Sequence, residues 1–280
     1  MHQFTTNTVT IQGVPIYYEL YNMDAYPEKP ALFLIHGFLS STFSYRRLVP
    51  FLAPEYPVVA LDLPPFGRSG KSNRFVYSYQ NFASVVLNLA DYLQLKKIIL
   101  IGHSMGGQVA LRASLLDHET VDKTVLLGSS GYLAPEKKLI AYSSYLPFFH
   151  LYLKKWFEKR GVEQNLLNVI HDRAMIDQEM IDGYLEPFLQ HDIFRALTRM
   201  IRHREGDLSK EELGQVKAPS LLLWGKQDKV MPYSIGKRLA EDLPAAKLVG
   251  YDKTGHLVPE ERPDYIHRDF SSFISDGINE

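Results

Sequence analysis

The sequence contains no cysteine. Disulfides and thiolate metal sites are therefore excluded, and the compartment is left open. It lacks a charge excess of either sign: 31 basic side chains face 32 acidic ones, so nothing in the balance favours nucleic acid. It also lacks an apolar run long enough to cross a bilayer. The best stretch, Leu139 to Leu153, is 15 residues long, carries Ser143, Ser144 and His150, and is broken by Pro147. A spanning helix needs about 20 apolar residues. The start, Met1-His2-Gln3-Phe4-Thr5-Thr6-Asn7, has no basic segment followed by an apolar core, so it does not read as a secretory leader. From these absences we expect a soluble, cytoplasmic protein with no integral membrane segment and no nucleic-acid partner. The oligomeric state stays open.

Other signals are missing too. There is no internal repeat and no low-complexity tract. The turn Asp62-Leu63-Pro64-Pro65-Phe66-Gly67-Arg68-Ser69-Gly70 lacks the glycine spacing of either nucleotide-binding motif and reads as a rigid structural turn. There is no His-Glu-x-x-His, and no pair of histidines spaced i, i+4 falls on a convincing helix face. Neither a metal nor another cofactor is expected.

What is present is a globular balance: 280 residues, 45% hydrophobic and 22% charged, ample to bury a substantial core. Thr8 to Ile11 and Pro15 to Leu20 flank Gly13 and read as two strands of a hairpin. Ala31 to Ile35, Val58 to Leu61 and Ile98 to Ile101 are continuous apolar runs, as expected for strands covered on both faces. Val125 to Leu127, Leu221 to Trp224 and the weaker Lys247 to Val249 complete the set. Between them, Phe82, Val85, Val86, Leu89 and Leu93 share one helix face, with Ser78 placed as N-cap. Pro263 could open a last helix with Tyr265, Ile266, Phe270 and Phe273 inward. Alternating strands and helices predict a mostly parallel sheet with helices on both faces. The aromatic-rich stretch 134–216 breaks the alternation, lacks a convincing buried strand and reads as a helical insertion in a core formed by 1–133 and 217–280.

The chemistry concentrates at Gly102-His103-Ser104-Met105-Gly106, directly after the run Ile98 to Ile101 and before a helical pattern. Gly-x-Ser-x-Gly between a strand and a helix suits a nucleophile elbow, a tight turn that exposes the Ser104 hydroxyl. Serine needs an adjacent general base. Of ten histidines, His256 stands out, because Gly255-His256 follows the last predicted strand. In sheet-based hydrolases the order is Ser, acid, His. Asp228, just beyond Leu221 to Trp224, fits the acid. Asp252 competes and ranks second, because only four positions separate it from His256. The acid would hold the imidazole in one tautomer. An oxyanion needs preorganised donors. The backbone N–H groups of Met105 and of Phe38, in the loop after Ala31 to Ile35, are placed for that role. His36 reads as a structuring residue of the same loop.

These stretches together resemble the α/β-hydrolase superfamily. The matching residues are Leu34-Ile35-His36-Gly37-Phe38, Leu61-Asp62-Leu63-Pro64 through Gly67-Arg68-Ser69, Gly102 through Gly107, Leu223 through Asp228, and Gly255-His256. Within it, the chain is similar to the capped bacterial branch of carboxylesterases, monoacylglycerol-type lipases, carbon–carbon bond hydrolases and cofactor-free perhydrolases. The resemblance implies an eight-stranded sheet, a helical cap at 134–216 after the sixth strand, and an acid after the seventh, which supports Asp228. Serine in the elbow argues against the haloalkane dehalogenase and epoxide hydrolase relatives. Pro64-Pro65 stiffens a loop where many relatives have Gly or Arg. The expected function is hydrolysis of short to medium apolar esters through Ser104, His256 and Asp228. The apolar pocket is expected from Phe38, Leu39, His103, Tyr145, Phe149, Trp156, Val230 and Leu257. Cleavage of a carbon–carbon bond in a diketone, lactone hydrolysis and perhydrolysis use the same triad. For the diketone, Arg195, Arg199 and Arg202 share a helix face, as solvated charges also do. A small-molecule sensor that retains the triad is the reading from another class.

Overall fold

The computed structural model describes residues 4–135, 138–190 and 192–276. Met1–Gln3, at the head of the segment read for a leader, lie outside the described residues, as do Glu136, Lys137 and His191 within 134–216. The chain opens on a hairpin, β1 (Phe4–Ile11) and β2 (Val14–Tyr21). Its two-residue turn places Gln12 and Gly13 at φ 52° and 75°. Left-handed geometry at both positions gives the twist that adjoining strands require.

Six further strands follow: β3 (Ala31–Ile35), β4 (Val58–Leu61), β5 (Ile98–His103), β6 (Val121–Leu127), β7 (Ser220–Gly225) and β8 (Ala246–Tyr251). All eight form one sheet in the order β1-β2-β4-β3-β5-β6-β7-β8. Strand β2 runs antiparallel to both β1 and β4, and every pairing from β4 through β8 is parallel. This is the mostly parallel eight-stranded sheet that the sequence and its resemblance implied. The continuous apolar runs became strands buried at every position in β3, β4, β5 and β7. The polar opening of β6, Asp122-Lys123, carried no such signal.

Successive strand residues face opposite sides, and the core divides accordingly. Phe33, Ile35, Ile98 and Leu100 belong to one cluster, with Val85 and Leu89 of α2 (Tyr79–Tyr92) and Val109 of α3 (Met105–Leu116). Leu32, Leu34, Ile99 and Ile101 belong to the other, with Leu52 of the short helix α1 (Val49–Leu52) on the opposite face. The Ser78 hydroxyl accepts from Asn81 N–H and caps α2 as expected.

Between β6 and β7 the described residues form no strand. They form α4 (Lys138–Ser143), α5 (Phe149–Arg160), α6 (Val162–Val169), α7 (Gln178–Leu185), α8 (Ile193–His203) and α9 (Lys210–Leu213). Leu166, Met180 and Tyr184 of this stretch form a third apolar cluster with Leu257. The chain ends with α10 (Tyr233–Asp242) after β7, then α11 (Val258–Glu261) and α12 (Pro263–Asp276) after β8. Ile266 and Phe270 of α12 are buried, but Tyr265 is not the inward residue expected of it. It lies at the rim with its ring edge-on to Tyr251 at 5.7 Å. No helix among the described residues is long and apolar enough to cross a membrane.

Candidate active site

Ser104 is the single residue between β5 and α3, at φ 52° and ψ −118°. A non-glycine residue adopts that conformation only where its surroundings impose it. Here they do. Ser104 N–H donates to Leu127 O, and Ser130 N–H donates to Ser104 O, both at 3.0 Å. The turn also depends on two glycines. A Cβ on Gly102 would lie 2.3 Å from Gly106 O, and one on Gly106 would lie 2.1 Å from Ile35 O. Strand and helix thus approach as closely as backbone allows, and the serine is pushed to the top of the sheet.

Asp228 follows β7. Its Oδ1 accepts from Val230 N–H and Met231 N–H at 2.8 Å each, and its Oδ2 accepts from His256 Nδ1–H at 2.7 Å. This fixes the tautomer of His256 and leaves the Nε2 lone pair as its basic site. The competing Asp252 is exposed and pairs with Lys226 at 3.0 Å. Ser104 and His256 line the same cavity without a hydrogen bond between them. Such contacts often tighten only when substrate arrives.

The loop after β3 runs alongside. A Cβ on Gly37 would lie 3.1 Å from the Ser104 Cβ. Met105 is the first residue of α3, so its N–H has no acceptor within the helix. Phe38 and Met105 line a cavity together with Ser104. Three buried groups hold these loops. His36 Nδ1–H donates to Gly37 O at 2.7 Å, and its Nε2 accepts from Leu63 N–H at 2.9 Å. Burial lowers its pKa to about 4, so it stays neutral as a structural link. Asp62 accepts from Thr42 N–H at 2.7 Å and Arg68 N–H at 2.8 Å, which makes the following turn the rigid element read from the sequence. His103 Nε2–H donates to His256 O at 2.9 Å. Burial, with His256 close by, lowers the His103 pKa to about 3. It therefore ties the two loops together as a neutral ring.

Two cavities meet at Ser104 and Phe38. The larger, about 390 Å³, is lined by Trp156 and Val230 among the expected residues, and also by Tyr77, Leu153, Leu197 and Met200. The smaller, about 220 Å³, is lined by Leu39, His103 and Leu257 as expected, and also by Ser40, Asn165 and Leu166. Tyr145 and Phe149 line neither. Tyr145 is 65% exposed and lies under the Arg202 guanidinium, while Phe149 packs its ring on Tyr152. An aromatic-rich composition does not tell which face each ring takes. Leu153, Leu166 and Leu197 carry no sequence signal for this, because a leucine at helical spacing looks the same against a cavity as in a core. Arg195, Arg199 and Arg202 line neither cavity; Arg204 lines the larger one.

Residues 30–263 match a family model described as the alpha/beta hydrolase fold. An uncharacterized hydrolase of Bacillus subtilis, YugF, is 51% identical over 95% of this chain and 96% of its own length. The 2-hydroxy-6-oxo-6-phenylhexa-2,4-dienoate hydrolase of Burkholderia cepacia is 29% identical over 83% of this chain and 82% of its own. Among solved structures, a bacterial membrane phospholipase A superposes with a TM-score of 0.79 at 26% identity, covering 99% of this chain and 87% of that one.

Proposed function

The chain belongs to the alpha/beta hydrolase fold family and is a hydrolase, and from that premise we propose that it cleaves carboxylic esters through Ser104, His256 and Asp228. The observation that carries the reading is the Asp228–His256 hydrogen bond of 2.7 Å beside a strained Ser104 in one shared cavity. His256 Nε2 takes the hydroxyl proton as Ser104 Oγ bonds to the acyl carbon. The carbonyl oxygen becomes an oxyanion held by the N–H groups of Phe38 and Met105. The carbon–oxygen bond to the alcohol then breaks, and His256 returns the proton to the departing oxygen. Water repeats the sequence on the acyl-enzyme and frees the acid and Ser104.

The two cavities acquire different roles from this chemistry. A general acid must reach the leaving oxygen, and His256 lines only the smaller cavity. The alcohol therefore occupies the smaller lobe, and the acyl chain the larger one beside Met105. The larger lobe, about 390 Å³, lies within the ~300–1,000 Å³ common for small-molecule sites. The helical stretch 134–216 acts as the cap that closes both lobes. The lining is mainly apolar, which favours an uncharged acyl group over an acid such as the dienoate in the Burkholderia relative's name. Arg204 in the larger lobe is what a carboxylate-bearing substrate would use, so the same panel includes one.

A fluorophosphonate probe with intact-mass analysis, followed by p-nitrophenyl esters of graded acyl length, tests the proposal. We expect a single adduct on Ser104, turnover of short to medium esters, and a fall in kcat of roughly 10⁴-fold or more in Ser104→Ala. Absence of the adduct, or near-normal esterase activity in that variant, refutes it.

A further inference from the structure

The outer face of the helical stretch is unusual for a surface. Leu139, Tyr142, Leu146, Phe148, Leu151 and Tyr152 are each more than half exposed, within a short length of chain. Single exposed apolar residues need no explanation, but a group of large ones marks an interaction site. The backbone adds a second observation. Phe148, at the start of α5, sits at φ 63° and ψ 10°, a left-handed geometry that a bulky side chain adopts only at a cost, and the residue is 71% exposed. A strained residue whose side chain is left mostly bare by its own chain points to a role in an external contact.

The charge of the same segment identifies the partner. From 134 to 161 the sequence has six basic side chains against two acidic ones, in a chain whose net charge is −1. Helix α5 shows how the charge is arranged. Leu153 and Phe157 turn inward, where they line the larger cavity. Leu151 and Tyr152 face out, with exposed Lys155 and Lys159 on the same side. Interleaved lysines and large apolar side chains suit neither an aqueous surface nor a dry protein interface. They suit a headgroup layer, where rings and leucines enter the acyl boundary and lysine stems extend to lipid phosphates.

We propose that α4, the turn through Phe148 and the outer face of α5 form a docking surface for anionic phospholipid bilayers. The contact is peripheral, with the apolar side chains inserted to headgroup depth and Lys155 and Lys159 against the negative surface. Because the inner face of α5 lines the larger cavity, docking places that cavity next to the lipid phase. The inference stands on the surface alone and does not depend on the chemistry at Ser104.

Co-sedimentation of the full chain with vesicles tests it, using phosphatidylcholine alone and phosphatidylcholine mixed with phosphatidylglycerol. We expect binding to the mixed vesicles that weakens with added salt, and little binding to the neutral ones. Trp156 borders the patch while Trp224 is fully buried, so docking is also expected to shift tryptophan emission to the blue. Leu146→Ser/Phe148→Ser/Tyr152→Ser should lower vesicle affinity more than about tenfold, and Lys155→Glu/Lys159→Glu roughly twentyfold. Unchanged thermal midpoints serve as the control for folding. The proposal is overturned by failure to bind mixed vesicles at low salt, or by equal binding of the variants. It is equally overturned by a dimer in light scattering that the triple serine variant dissociates, with no vesicle uptake, since the patch would then join two copies of the chain.

Discussion

His36 and His103 are fully buried beside the candidate nucleophile, and both are held neutral by burial. For His36 the acid response can be worked out. Its pKa is lowered from 6.5 to about 4 in the folded chain. Between those values the unfolded chain binds more protons, so the stability His36 contributes is full above pH 6.5 and is lost as pH falls toward 4. Its geometry agrees, because a protonated Nε2 could no longer accept from Leu63 N–H. Denaturant unfolding at pH 7 and pH 5 should show the wild type losing about 2 kcal/mol more than His36→Gln. An equal loss in both would show that the ring is not a buried neutral link. The sequence identified His36 as structural because it sits at the start of the Gly37-Phe38 turn. It could not show the same for His103, whose carbonyl partner on His256 lies 153 residues away.

At the scale of elements, the elbow depends on backbone contact between β5, α3 and β3. In Gly106→Ala the added methyl would meet Ile35 O at 2.1 Å, and neither partner is a side chain that can turn aside. We expect a loss of about 3 kcal/mol or more in thermal or denaturant unfolding. The two lobes are built by different helices. Leu197 of α8 lines the larger and Leu166 of α6 the smaller. Leu197→Trp should lower kcat/KM for medium acyl chains about tenfold relative to acetyl esters. Leu166→Trp should instead narrow the range of accepted alcohols and leave the preference for acyl length unchanged. The reverse pattern in stopped-flow burst kinetics would exchange the lobe assignments while leaving ester chemistry intact. Strands were legible because burial on both faces demands unbroken apolar runs. The lobes were not, since they form where helices distant in sequence meet.

Across the whole molecule, the helical stretch and the sheet are joined at the His256 loop. His256 N–H donates to Val169 O at 2.7 Å. Glu261 accepts from Gly255 N–H at 2.9 Å and from His171 N–H at 3.0 Å. Nearby, buried Glu260 pairs with Arg46 and Arg47 and accepts from Tyr184 OH of α7. Burial raises its pKa to about 7. Removing the Glu261 carboxylate frees two backbone donors on opposite sides of this junction. Glu261→Ala should therefore lower kcat roughly tenfold or more while the chain remains folded, as measured on a short p-nitrophenyl ester. Full activity would mean that Asp228 alone positions the imidazole. Periodicity carried the sheet and the Gly-x-Ser-x-Gly motif placed the turn before α3, because each is a local pattern, whereas the choice of Asp228 over Asp252 leaned on the family resemblance as well. The junction had no such signature: an acidic pair after Gly255-His256 reads as an ordinary helix start until its partners are known.

In the ester reaction proposed above, the acyl group still occupies its own chamber after the alcohol departs, while the neighbouring one, about 220 Å³, stands vacant beside His256. Water then competes there with any other hydroxyl compound small enough to enter, and a successful competitor leaves as a new ester. Added methanol or ethanol should divert product from free acid to alkyl ester in proportion to its concentration, so the enzyme would run as an acyl transferase whenever a compact acceptor outnumbers water in that space.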